Sequence, residues 1–188
     1  MDVVASLRPC AIDVQLGEWI YTIPELPAAD WIEAIVDPDG GSIVPGLMDE
    51  VTQRDVWNTY LRGLIEPEEL EHAWRYALEA ATGQRWWTAA KLFLSATEKG
   101  TWPVLHGSLL ARGVDLEYIS IGAAWNVIYR LALEGCKDES ERAKLEFDIA
   151  HPPPGVDISE AFDKAQAASD FLAAMGIARG LDGGRTPA

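Results

Sequence analysis

The sequence predicts a mostly α fold: a compact multi-helix domain with an N-terminal β-hairpin and a C-terminal helix after a proline linker. Three observations carry this prediction. Apolar and polar positions alternate with period two only between Ile12 and Ile23. Beyond that stretch, apolar residues recur at spacings of three and four, punctuated by Gly63, Gly83, Gly100 and Gly113. The run His151-Pro-Pro-Pro-Gly155 cannot continue a helix and divides the chain. The expected organisation is residues 1–150 as hairpin plus helical domain, 151–158 as proline-rich linker, and 159–188 as C-terminal helix and flexible tail.

Taken in order, Ile12, Val14 and Leu16 alternate with Asp13 and Gln15, and Trp19, Tyr21 and Ile23 alternate with Ile20 and Thr22. Gly17-Glu18 between them is a two-residue hairpin turn, and Pro24 and Pro27 end the second strand. Ala28 to Val36 is a short helix with Trp31, Ile32 and Ile35 on one side. Asp37 to Ser42 is a loop by composition. Its two aspartates lack the continuation and the glutamate of an EF-hand. Asp49 caps a helix to about Arg62, with Val51, Val56, Trp57, Tyr60 and Leu61 as its apolar positions. Glu66-Pro67-Glu68-Glu69 is a strong helix start, with proline in the first turn and carboxylates at the positive end of the dipole. Leu70, Ala73, Trp74, Ala77, Leu78 and Ala81 continue that helix as an apolar stripe until Thr82-Gly83.

Gly83 to Val114 is the stretch around which the rest is organised. It carries three of the eight tryptophans and almost no acid. Trp86, Ala90, Phe93 and Leu94 fall on one helical face; after Gly100, Trp102-Pro103 opens another helix in which Leu105, Leu109 and Leu110 share a face. Adjacent Trp86 and Trp87 point about 100° apart on a helix, so one ring can face the core and the other a second surface. Both rings can be core packing, or one can anchor a partner protein. Ser120 caps a further helix through Leu133, whose Ala123, Ala124, Trp125, Val127, Ile128, Leu131 and Ala132 leave little polar surface. It is expected to be the most buried of the domain. Asp138 and Glu141 form a capping-box pattern for a charged helix to about Ala150. After the prolines, Ser159 to Met175 is expected to be a last helix with Phe162, Leu172 and Met175 on a narrow apolar face. Such a face can dock on its own domain or lie in a partner's groove.

Composition narrows the function classes. The 188-residue chain is 48% hydrophobic, enough for one domain with a sizeable core. No apolar run reaches the length of a membrane span, and the N-terminus lacks a basic-then-apolar signal, so the expectation is a protein that stays in the cytosol where it is made. Fifteen Lys and Arg face thirty Asp and Glu, a formal charge of −15. Nucleic-acid phosphates and anionic membranes demand a basic surface, so neither is an expected partner. The excess acid favours solubility and partners with positive or apolar patches. Cys10 and Cys136 are far apart without metal-type spacing and are expected to be small packed residues.

Chemical motifs are absent. The chain has no phosphate loop, no dinucleotide glycine pattern, no HExxH and no Cys/His cluster. His72 lies on the polar flank of an acidic helix and His151 opens the proline run. His106 has Ser108 and Asp115 nearby in sequence, a triad in composition only, because three residues on one helix and its end do not converge. Glu68, Glu69 and Glu71 are explained as a solvated helix start. The expectation is no enzyme, no catalytic residue, no metal and no cofactor.

Several segments together resemble a known family. These are ATGQRWWTAAKL (Ala81 to Leu92), the tryptophan-to-LLARGVD run (Trp102 to Asp115), SIGAAWNVIYRL (Ser120 to Leu131) and ERAKLEFDIAHPPPG (Glu141 to Gly155). In pattern and order they are similar to the tail assembly chaperones of long-tailed, siphovirus-type bacteriophages of actinobacteria. The likeness runs from the hairpin to the proline stretch and includes no active site. It implies a protein made in the infected host's cytoplasm that binds the tape-measure protein, keeps it soluble during tail tube assembly, and is not expected in the mature virion. The tail tube protein and a longer form made by programmed frameshift are further implied partners, this chain being the unshifted form. No cofactor is implied. The residues themselves nominate Trp86, Trp87, Phe162, Leu172 and Met175 for partner contact. A small acidic regulator covering a host protein's basic surface, and an enzyme with a scattered site, are the alternative classes.

Overall fold

The computed structural model describes residues 10–36, 42–98, 100–154 and 156. The chain divides into two units, Met1–His151 and Pro152–Ala188, at the start of the proline run. In the second unit the described residues form a turn in which the Val156 amide donates to the Pro153 carbonyl. The expected C-terminal helix, with Phe162, Leu172 and Met175, lies outside the described residues.

The first unit is mostly helical with an antiparallel hairpin at its N-terminal end. Strands β1 (Ile12–Leu16) and β2 (Trp19–Ile23) pair with Leu16 opposite Trp19 and Ile12 opposite Ile23. The alternation holds except at Trp19, which is exposed at the turn: Ile12, Val14, Leu16, Tyr21 and Ile23 are buried, while Asp13, Gln15 and Thr22 face outward. Gly17 turns the hairpin at φ +60°, and a Cβ there would sit 2.6 Å from the Leu64 carbonyl oxygen, so only glycine fits.

Eight helices follow among the described residues: α1 (Ala28–Val36), α2 (Ile43–Gly46), α3 (Glu50–Leu61), α4 (Pro67–Thr82), α5 (Trp86–Thr97), α6 (Trp102–Ala111), α7 (Ile121–Gly135) and α8 (Glu139–Ala150). Their starts are written in local chemistry. The Asp49 carboxylate accepts from the Val51 and Thr52 amides, Ser120 Oγ from Ala123, and Asp138 from Glu141. In the last case Glu141 reaches back to the Lys137 amide, one residue before the cap. Glu69 does more than decorate a solvated helix start. One oxygen accepts from the Glu66 amide and the other from the Gly17 amide, which joins the hairpin turn to the α4 N-terminus. Strand β1 lies along α4, so this bond pins the end of the largest hairpin–helix contact.

Packing corrects three expectations and adds one element. In α3, Val51 and Leu61 are 74% and 79% exposed, because the helix turns only Val56 and Thr59 fully inward. The four-residue α2 has no counterpart in the sequence pattern. In α6 only Leu109 is buried, Leu105 is partly covered and Leu110 is exposed, so the three leucines do not share a covered face. The helix with the most neighbours is α5 rather than α7, and α5 is the more buried of the two. It packs against α1, α4, α6, α7 and α8, and Trp87, Ala89, Ala90, Leu92, Phe93 and Ala96 are all buried. In α7 the buried residues are concentrated in its first half, at Ile121, Gly122, Ala124, Trp125 and Ile128, and the rest runs out toward the surface. An apolar circumference shows what a helix could bury; the number of neighbours decides what it does bury.

Candidate functional site

The two sequence-nominated tryptophans open α5. Trp87 is 8% exposed, and its indole Nε1 donates to the Ala150 carbonyl at 3.1 Å, at the C-terminus of α8. One residue of the next turn completes the clasp: Lys91 Nζ donates to the Asp148 carbonyl at 2.9 Å and to the His151 carbonyl. These bonds satisfy carbonyls that the end of α8 leaves without intrahelical donors. Trp87 is therefore a packed, hydrogen-bonded element of the body and not an open anchor.

Trp86 is the outer ring, half-buried. Trp74 and Trp87 meet it edge-on, with centroids 5.2 and 5.8 Å away, and the Arg75 guanidinium lies 4.5 Å from its centroid. Its faces and edges are thus largely taken by the protein's own side chains. The structure brings Trp86 and Trp87 together into one aromatic cluster with Trp74. Phe162, Leu172 and Met175 belong to the residues outside the description.

Apolar surface that no neighbour covers lies elsewhere, along α6. This helix reads WPVLHGSLLA, with apolar residues around its whole circumference. Val104 is 71% exposed and Leu110 is 52% exposed. A groove runs along each flank. One, of about 590 Å³, lies between α6 and the helices α5, α7 and α8. Ala96, Val104, Leu105, Ile128, Leu131 and Leu145 line it, and no charged side chain does among the described residues. The other, also about 590 Å³, lies between α6 and α1. Ile32 and Val36 form one wall and Trp102, His106 and Leu110 the other, with Glu33, Asp115 and Glu117 at its margins. Trp102, His106 and Leu110 follow one another at four-residue steps and so form one face of α6. Two apolar grooves of this size beside one helix are of a kind that can take a segment of another chain.

The titratable groups give the grooves no catalytic arrangement. His106 stacks on Trp102, with the rings 5° from parallel and 5.4 Å apart, in the α1–α6 groove. Ser108 lines the opposite groove and its hydroxyl donates to the Val104 carbonyl at 2.8 Å. Asp115 accepts from the Glu117 amide at 3.1 Å. His106 and Asp115 thus share a groove from which Ser108 points away. His151 stacks on Phe147, and His72 is exposed. Among the described residues four groups have displaced pKa values, and none lines either groove. Burial pushes the Tyr21 phenol up, with Asp55 adding to the rise and a Thr59 hydrogen bond opposing it. Burial, then Glu146, pushes Tyr129 up. The Thr52 hydroxyl and amide hold Asp49 down, and Arg130 and Arg112 hold Glu134 down. Each shift comes from a helix cap, an inter-helix bond or burial. Among the described residues no cluster of three His, Cys, Asp or Glu side chains has the geometry to hold a metal ion, and no helix is long and apolar enough to cross a membrane.

Sequence reasoning nominated the tryptophans because large aromatics dominate partner contacts, and missed the uncovered side of α6. The available signal was the even spread of apolar residues around that helix, which gives it no natural inward face. Compared with protein-family models, with curated proteins and with solved structures, the chain finds no match.

Proposed function

We propose that this protein is a non-catalytic assembly chaperone that holds an apolar helical client soluble, and that the client is the tape-measure protein of a long-tailed phage. The observation that supports the reading best is α6, an apolar helix left on the surface with an apolar groove on either flank. A domain that only had to fold would place such a helix inside, as it does α5. The formal charge of −15 keeps a protein with that much exposed apolar surface in solution. The resemblance of the tryptophan-rich and SIGAAWNVIYRL segments to tail assembly chaperones supplies the identity of the client. On this reading the protein acts in the host cytoplasm and leaves before the virion is complete. The tail tube protein and the frameshifted longer form are its further contacts.

Co-expression with the tape-measure protein of the same genome tests the reading. The full chain should keep the client in the soluble fraction. Val104→Asp with Leu110→Asp should lose that effect while leaving the circular-dichroism spectrum and melting temperature unchanged, since both side chains are already mostly in water. A chain truncated after Gly155 tests the stripe of Phe162, Leu172 and Met175 separately. If the full chain and its longer form both leave the client insoluble, the proposal is wrong.

A further inference from the structure

The two grooves beside α6 differ in charge, and the difference identifies what one of them accepts. No charged side chain among the described residues lines the α5–α6–α7–α8 groove. The α1–α6 groove also has an apolar floor, made by Ile32, Trp102, Leu110 and Leu116, but three carboxylates stand at its margins: Glu33 on α1, and Asp115 and Glu117 in the segment after α6. No Lys or Arg lines it among the described residues. Nor do these carboxylates enter any ion pair among the described residues, where Arg54, Arg75, Arg112, Arg130, Lys137 and Arg142 are all paired with other acids. Glu33 and Glu117 are exposed and Asp115 is partly covered, so the charges sit where an occupant of the groove would pass beside them.

From this juxtaposition we propose that the α1–α6 groove docks a basic amphipathic helix of a partner protein. The partner's apolar residues at i, i+3, i+4 and i+7 lie on the floor between Ile32 and the Trp102–His106–Leu110 face. Lys or Arg residues flanking that stripe meet Glu33, Asp115 and Glu117. The apolar floor gives most of the affinity. The carboxylates select the sign of the partner's charge and reject an acidic helix of equal apolarity, because like charges brought together in the groove repel. The inference deepens the proposed chaperone function and rests on it only for which protein carries the helix.

The test uses the full chain and two synthetic peptides of about 18 residues, the length of a five-turn helix. They share one Leu/Ala stripe and carry either lysine or glutamate on both flanks, and binding is read by fluorescence anisotropy. The lysine peptide should bind at least about tenfold more tightly than the glutamate peptide, a preference of a size that three carboxylates at a partly desolvated margin can supply. That preference should shrink as salt rises from about 0.05 to 0.5 M, since screening shortens from roughly 14 to 4 Å. Because the whole protein is acidic, two variants of equal net charge decide where the preference arises. Glu33→Gln with Asp115→Asn and Glu117→Gln should remove most of it. Glu18→Gln with Glu68→Gln and Asp148→Asn, all exposed and distant in sequence from the groove segments, should retain it. Equal loss in the two variants, or equal binding of the two peptides by the wild type, overturns the proposal. The co-expression experiment separates the two ideas. A client held soluble equally by both variants leaves the chaperone function standing and removes the charged groove. Groove-dependent lysine-peptide binding without any effect on the client does the reverse.

Discussion

Helices α5 and α6 are consecutive, nearly equal in length and similarly rich in apolar residues, yet they end in opposite environments. α5 has five neighbouring helices, and its Phe93 is completely buried. α6 packs chiefly on α5 and leaves Val104 and Leu110 in solvent. The difference lies in the distribution of the apolar residues and in the side chains between them. On α5 the polar positions Thr88, Lys91 and Ser95 break the apolar pattern, and Lys91 spans to the end of α8. On α6 the apolar residues encircle the axis, so no orientation could cover them all against a single neighbour. One helix is the centre of the body, and the other is surface kept apolar. Apolar content alone does not distinguish a core element from an exposed one.

Substitutions on the two helices should separate them most clearly by stability. Phe93→Ala removes a fully buried ring from between α5's neighbours and should cost about 3–5 kcal/mol in urea unfolding. Val104→Ala on α6 should change stability by no more than about 0.5 kcal/mol. Similar losses at the two positions would show that α6 is as much core as α5. Next in size, Trp87→Phe removes the indole donor to the Ala150 carbonyl and part of the packed volume. It should cost about 1–2 kcal/mol, less than a sealed bond would, because Ala150 lies at the surface where water can replace the donor.

A change of opposite sign is expected in α6. A Cβ added at Gly107 meets nothing within 4 Å, and the residue is in the middle of the helix. Gly107→Ala should therefore raise stability by about 0.4–1 kcal/mol, visible as a higher urea midpoint at an unchanged slope. A loss of stability would mean that the space beside Gly107 is filled.

The smallest effect concerns how α6 is held to α7. Arg112, at the end of α6, and Arg130 both bond Glu134, and these partners hold the Glu134 carboxyl below its ordinary value. A carboxyl lowered on folding contributes stability that is present above its unfolded pKa and lost as pH falls through the lower folded value. The tether should therefore persist at neutral pH and weaken at acid pH, below the ordinary glutamate range near 4. Glu134→Gln should make the stability–pH slope shallower in that window and leave it unaltered above about pH 6, where the carboxylate is fully ionised. A slope unchanged by the substitution would show that solvent screens the pairs completely.

Local chemistry was read directly from the sequence. The hairpin, with Gly17 at its turn, and the starts of α3, α7 and α8 at Asp49, Ser120 and Asp138 follow from backbone conformation and hydrogen bonds within a few residues. Those forces act at short range, so the residues that exert them are neighbours in the chain. The same reasoning identified Trp86 and Trp87 as a notable pair but could not assign their roles. The partners that decided those roles, Trp74 and Arg75 on α4 and the Ala150 carbonyl on α8, are up to 63 positions away.

By itself the sequence determined the class of the fold, the positions of most helices and the acidic character of the protein, because periodicity, capping and charge are properties of residues and their immediate neighbours. Only the tertiary structure decided that α5 and not α7 is the centre, that Glu69 joins the hairpin to α4, and that α6 keeps its apolar surface between two grooves, one neutral and one edged with carboxylates. Burial is shared between elements distant in the chain. A helix's own pattern states how much apolar surface it has to cover, and its neighbours in space determine which part of that surface is covered and which is left to meet a partner.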